Sequence, residues 1–250
     1  MNSVAEGMVL RSVSRTYGGA VGVRTLSLVV ARAEVHALVG LNGAGKSTLL
    51  KLLLGMLRPD SGTVSIGGED IRTAGARLWS RVGQLVETPL TYPEFTVTGN
   101  LLMNAALHDV APGRRRAMVD TAIAEFGLGE YADRRARVLS SGNRQRLGVA
   151  AALQHRPGFV VLDEPTNALD PAGTILLRDA LRKRAEDGAA VLISSHHLDE
   201  VARVADRITV MNAGRLIGHL DPGTAELEKA FFALVLHDDE TRAENHGPER

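Results

Sequence analysis

The sequence predicts an α/β fold: a mostly parallel sheet flanked by helices, with an N-terminal antiparallel β subdomain and an inserted helical subdomain. Three observations carry that expectation. Four short apolar runs, VHALVG (35–40), RVGQLVE (81–87), FVVLDE (159–164) and AVLISS (190–195), have the length and β-branched content of strands covered on both faces. The first, third and fourth lead into helical stretches at 46–54, 172–186 and 197–204, the alternation that βαβ crossovers require. Residues 97–155, by contrast, contain almost no strand signal.

The elements follow in order. Residues 8–36 and 61–70 alternate like antiparallel strands, with Gly-rich turns at Tyr17-Gly18-Gly19 and Gly67-Gly68. Successive helices are expected after residue 97, broken at Pro112-Gly113 and at 127–129, so that about 88–150 forms the inserted helical subdomain. Leu227, Phe231 and Leu234 recur at helical spacing near the C-terminus and read as core packing. Residues 1–236 are expected to form one domain, and the polar stretch HDDETRAENHGPER (237–250) a disordered tail.

Composition narrows the class. With 44% hydrophobic and 23% charged residues the chain can build an ordinary globular core. Lys+Arg and Asp+Glu are both 29, and this zero net charge argues against nucleic acid as the main partner. The absence of Cys excludes disulfides and thiolate metal sites and fits a reducing compartment. No signal peptide and no run of roughly 18 apolar residues is visible, so the expectation is a cytoplasmic protein that reaches a membrane only through another chain. The basic runs Arg114-Arg115-Arg116 and Arg134-Arg135-Ala136-Arg137 read as solvated helix faces.

The chemistry is concentrated in three segments. Residues 40–48, GLNGAGKST, satisfy G-x-x-x-x-G-K-[ST] between a predicted strand and a predicted helix. In such a loop Gly40, Asn42, Gly43, Ala44 and Gly45 let backbone N–H groups curl around phosphate oxygens, with Thr48 opening the helix. Lys46 reaches the β/γ-phosphates and the Ser47 hydroxyl ligates Mg²⁺. This pattern implies a nucleoside triphosphate, a P-loop NTPase core. FVVLDEP (159–165) places Asp163 at a strand's C-terminal edge, where it can hold Mg²⁺ through a water. Glu164, one residue on, is positioned to act as general base toward the attacking water. ISSHH (193–197) ends the next strand, and His196 is the candidate to touch a γ-phosphate or that water, His197 falling on the first turn of a helix.

A second small-residue turn, Ser140-Ser141-Gly142 within LSSGNRQRL (139–147), stands at the head of another helix and also suits a phosphate. Together these motifs resemble the nucleotide-binding subunit of ABC transporters over about residues 8–236. The resemblance implies that Ser140 and Gly142 cover the γ-phosphate held by a partner copy, and that ATP closes a head-to-tail dimer, here compatible with a homodimer. It further implies that Asn167-Ala168-Leu169-Asp170 runs along the dimer seam, that Tyr17 stacks on adenine, and that a separate membrane permease is driven. The usual LSGGQ is altered, with Ser141 for a Gly and Asn143 for the Gln. The family's Gln at the end of the second strand aligns with Glu87, Gln84 lying two to three residues early, and Glu87 is therefore the expected metal-linking residue. Glu at that place, followed by YPEFTVTGNL, is similar to the bacitracin and lantibiotic (ABC-2 type) export branch and implies export of a peptide antibiotic or drug.

The runner-up is a soluble, non-transport ATPase of the same superfamily, such as a cluster-assembly subunit. Translation-type members carry two nucleotide domains, and repair-type members insert a long coiled coil for which 250 residues leave no room. A GTPase would show N-K-x-D, which does not occur in the chain.

Overall fold

A computed structural model describes residues 7–17 and 20–245. Its central sheet has six strands: β3 (Glu34–Val39), β6 (Val82–Leu85), β7 (Phe159–Leu162), β8 (Ala190–Ser195), β9 (Arg207–Asn212) and β10 (Arg215–Leu220). Their order across the sheet is β10-β9-β3-β8-β7-β6, and all pairs are parallel except the edge pair β10–β9. A second, antiparallel sheet is built from β1 (Met8–Tyr17), β2 (Ala20–Val30), β4 (Ser61–Ile66) and the two-residue β5 (Glu69–Asp70), in the order β2-β1-β4-β5. The predicted fold class is the one observed. Gly18 and Gly19 of the first predicted turn lie outside the described residues.

Strand alternation divides the interior into two apolar layers. Leu38, Phe159, Val161, Ala190 and Leu192 face helix α1 (Lys46–Leu53) and the antiparallel sheet. Their neighbours Val35, Ala37, Val160, Leu162, Val191 and Ile193 point to the opposite face, toward the remaining helices. This is the period-2 geometry of a strand buried on both sides, and it explains why those runs read as continuously apolar. Helix α1 supplies Leu49, Leu50, Leu52 and Leu53 to the first layer, four consecutive-turn leucines that fix how the P-loop enters the core.

Between β6 and β7 the described chain is helical: α3 (Val97–Leu107), α4 (Pro112–Glu125) and α5 (Ser141–Leu153), following the short α2 (Ala76–Trp79). Thr96 caps α3 by accepting the Gly99 N–H, and Pro112 opens α4. Beneath the sheet, α6 (Pro171–Glu186) buries Leu177 and Leu181, and its Arg184 forms a two-pronged ion pair with Glu125 of α4 at 2.9 and 2.8 Å. That pair ties the helical region to the core. Nearby, the rings of His108 and His155 stack 3.7 Å apart, and burial first, then the His108 and Arg184 charges, drive His155 down to about 3.

Helix α7 (Leu198–Ala202) is short; α8 runs from Leu227 to Asn245. Leu227, Phe231 and Val235 are buried on β9 and β10, with Leu234 partly buried beside them. The tail expected to be disordered from residue 237 is helical through Asn245 instead. Its polar side chains bond one another and the end of β9: Arg242 pairs with both Asp238 and Asp239, four and three residues away, and both accept from Asn212.

Candidate functional site

The P-loop leaves the C-terminal end of β3 and turns into α1 within six residues. Gly45 serves as N-cap with φ 105°, and no side chain caps α1, so the first-turn N–H groups point outward for an anion. A Cβ at Gly45 would stand 2.3 Å from the Gly22 carbonyl oxygen, and one at Gly40 would stand 2.3 Å from the Met211 carbonyl oxygen. Both positions therefore require glycine for space, and Gly45 for its left-handed backbone as well.

Lys46 is buried and its ammonium donates to the Gly40 carbonyl at 2.7 Å, 3.3 Å from Glu164 Oε1. Glu164 Oε2 accepts the His196 backbone N–H at 3.2 Å and lies 2.8 Å from His196 Nδ1. A carboxylate only accepts, so Nδ1 carries the proton. A neutral His196 ring then presents Nε2 as an acceptor, and only the imidazolium donates to Glu164 and a phosphate together. The three residues read from separate segments as catalytic thus form one contiguous chain, Lys46–Glu164–His196.

Asp163 is buried, donates its own N–H to the Leu85 carbonyl at 2.7 Å, and accepts the Ser194 hydroxyl at 2.5 Å. Ser194 Oγ in turn accepts the Glu164 N–H at 2.9 Å. Sequence reading did not single out Ser194, although two polar residues ending the apolar run AVLISS are a usable signal. The hydroxyl orients Asp163 and fixes the turn in which Glu164 takes φ 46°, a conformation that costs a non-Gly residue on the order of 1 kcal/mol or more. Ser47 and Asp163 offer only hard oxygen donors, the chemistry that suits Mg²⁺, which completes its shell with waters and substrate phosphates. Among the described residues no cluster of three or more His, Cys, Asp or Glu could hold a metal without such help.

Glu87 has φ 69°, is largely exposed, and pairs with Lys51 of α1. Gln84 sits inside β6, lining a cavity with Trp79, Asn104 and His108. Tyr17 is partly exposed, with Arg15 5.2 Å from its ring centre. A Cβ on Gly22 would meet Tyr17 at 2.6 Å and the Thr48 methyl at 3.2 Å, which puts the aromatic edge next to the P-loop.

The LSSGN segment is the first turn of α5. Ser140 is the N-cap and its hydroxyl accepts the Asn143 N–H at 3.2 Å, which leaves the hydroxyl proton available to an outside acceptor. Three contacts bind this helix head to the turn after Glu164. A Cβ on Gly142 would lie 2.7 Å from the Ala168 carbonyl; Gln145, buried, donates to the Pro165 carbonyl at 3.0 Å; Arg146 pairs with Asp170, the N-cap of α6. Gln145 and Arg146 were not among the residues singled out by motif.

A phosphate loop between strand and helix, a buried acid at the end of β7, one strand removed in the same sheet, and a Lys–Glu–His chain define a P-loop nucleoside-triphosphatase. The ABC transporter family profile matches residues 23–167. The chain is 37% identical to the Nod factor export ATP-binding protein I of Burkholderia orbicola over 85% of its length and 70% of that protein. It is 37% identical to daunorubicin resistance ATP-binding protein DrrA3 of Streptomyces coeruleorubidus (86% and 67%), and 36% to bacitracin transport ATP-binding protein BcrA of Enterococcus faecalis (87% and 70%). A solved ATP-binding subunit of an ABC transporter superposes with a TM-score of 0.80 at 26% identity, covering 94% of this chain and 98% of that one. The chain belongs to the ABC transporter family, as an ATP-binding and ATP-hydrolysing subunit.

Proposed function

We propose that this subunit hydrolyses MgATP in a head-to-tail pair of identical copies and drives a separate membrane permease that exports a peptide antibiotic or drug. The observation that carries the reading is the split of phosphate-binding parts within one chain. Lys46, Glu164 and His196 are joined by direct contacts, whereas Ser140 heads a different helix and enters none of the hydrogen bonds of that chain. A second copy supplies the missing contact. Ser47 and Asp163 would hold Mg²⁺, which when bound would supply positive charge to the phosphoryl oxygens. Glu164 takes the proton of the attacking water, Lys46 moves from Glu164 to the β/γ-phosphates, and His196 positions the γ-phosphate. Tyr17 stacks on the adenine.

Glu87 links the metal site to the helical region through Lys51 on α1, four residues after Ser47. Glu87→Ala is expected to lower Mg²⁺-dependent turnover by about tenfold, and unchanged turnover across a Mg²⁺ titration removes Glu87 from the site. The permease meets a shallow apolar surface along α3, lined by Phe95, Thr96, Gly99, Leu102, Met103 and Ala106. No helix among the described residues is long and apolar enough to cross a membrane, in keeping with a peripheral subunit at the inner membrane face. The relatives' names, which span Nod factor, daunorubicin and bacitracin, support export while leaving the cargo class broad. Affinity purification from detergent-solubilised membranes tests this: a polytopic membrane protein is expected in stoichiometric amount. Recovery only with soluble proteins would favour the cluster-assembly type of ATPase.

A further inference from the structure

The hairpin joining β9 to β10 lies against the P-loop at three points. The Gly214 N–H donates to the Ala44 carbonyl at 2.8 Å, and the Met211 carbonyl fills the space that forces Gly40 to lack a Cβ. The Met211 terminal methyl would lie 2.8 Å from a Cβ on Gly45. On its other side the turn accepts the Arg24 N–H through the Gly214 carbonyl at 2.7 Å. The two central residues of this turn, Ala213 and Gly214, both have positive φ, 44° and 79°. Glycine adopts that backbone freely; for Ala213 it is strained, so the turn persists only if its surroundings hold it.

What holds it is α8. Asn212, buried at the end of β9, spends both amide hydrogens on that helix, one on Asp238 Oδ2 at 2.9 Å and one on Asp239 Oδ1 at 2.8 Å. The same two oxygens receive the Arg242 guanidinium. Asn212, Asp238, Arg242 and Asp239 close a ring in which every bond has a carboxylate as acceptor and is charge-assisted. Further up the helix Leu234 packs over Gly218 of β10, where a Cβ would stand 3.1 Å from it.

We propose that Asn212 is a positioning residue for nucleotide binding, and that the C-terminal helix sets ATP affinity through it. Releasing the ring lets the Ala213–Gly214 turn relax, which moves the Gly214 N–H away from Ala44 and loosens the backbone cradle. The chemistry at Glu164 and His196 lies across the loop from this contact and stays intact. Coupling of this kind is reciprocal, so ATP also tightens the helix.

The test uses the full chain. In Asn212→Ala, and independently in Asp238→Ala/Asp239→Ala, the two α8 carboxylates that Asn212 reaches, the KM and equilibrium Kd for MgATP rise about tenfold while kcat stays within twofold. Hydrogen exchange at residues 238–242 slows on adding MgATP to the native protein and is indifferent to it in either variant. A lowered melting temperature with unchanged KM in the acid double variant, or a loss confined to kcat, overturns the proposal and leaves the ring a purely structural anchor. If Asn212→Ala fails to fold, the acid double variant on α8 decides the matter.

Discussion

Replacing Glu164 by Gln is expected to lower ATP turnover by about 10²–10⁴-fold, the range for removing a general base, while MgATP binds at least as tightly. The two halves of that result have separate causes. Gln keeps the length and an oxygen that accepts from His196 Nδ1, so the ring that now sits 2.8 Å away stays in place. It has no basic oxygen to take a proton from water, so hydrolysis stalls. It also removes the negative charge 3.3 Å from Lys46, freeing the ammonium for phosphate and favouring binding. Phosphate release measured against equilibrium nucleotide binding separates these. Turnover within threefold of the native protein would place the base elsewhere.

Gly142→Ala is the second large effect, and its origin is steric. The added methyl carbon would lie 2.7 Å from the Ala168 carbonyl oxygen, closer than such contacts occur, and the obstacle is backbone. Ala168 itself is held at φ 65°, so the turn carrying it has little freedom to yield. The head of α5 must therefore shift by a few tenths of an ångström or more, and with it the Ser140 hydroxyl and first-turn N–H groups. A displacement approaching 1 Å costs about 10²-fold in rate where geometry governs a step. Turnover at saturating MgATP is expected to fall by that order, with nucleotide affinity of the single chain unchanged. A variant that binds ATP more weakly as a monomer would show that Gly142 serves its own chain's nucleotide.

The sequence carried the fold class because its strands are short, apolar on both faces and followed by helices, a pattern few other folds share. GLNGAGKST was legible for a similar reason: glycines, lysine and hydroxyl at fixed spacing have one economical use. Asp163, Glu164 and His196 were legible at the C-terminal ends of the apolar runs FVVLDE and AVLISS, and the structure brings Lys46, Glu164 and His196 into contact. What escaped was long-range pairing. Ser194, Gln145 and Asn212 sit in apolar or unremarkable segments, and their importance depends on partners 20 to 31 residues away that no periodicity encodes. The tail misled because HDDETRAEN is polar enough to look unstructured. Its order comes from the spacing of Asp238 and Asp239 to Arg242, and from one asparagine on the sheet.

The central claim is that Ser140 and Gly142 complete a nucleotide site on another copy of the chain. The most direct test is the solution mass of the Glu164→Gln protein with and without MgATP, by light scattering on a sizing column, beside Glu164→Gln carrying Ser140→Arg. The account predicts a monomer without nucleotide, a dimer with MgATP, and a monomer in both conditions once Ser140 is replaced. A dimer that forms regardless of the arginine, or a chain that binds MgATP tightly and stays monomeric, would contradict it.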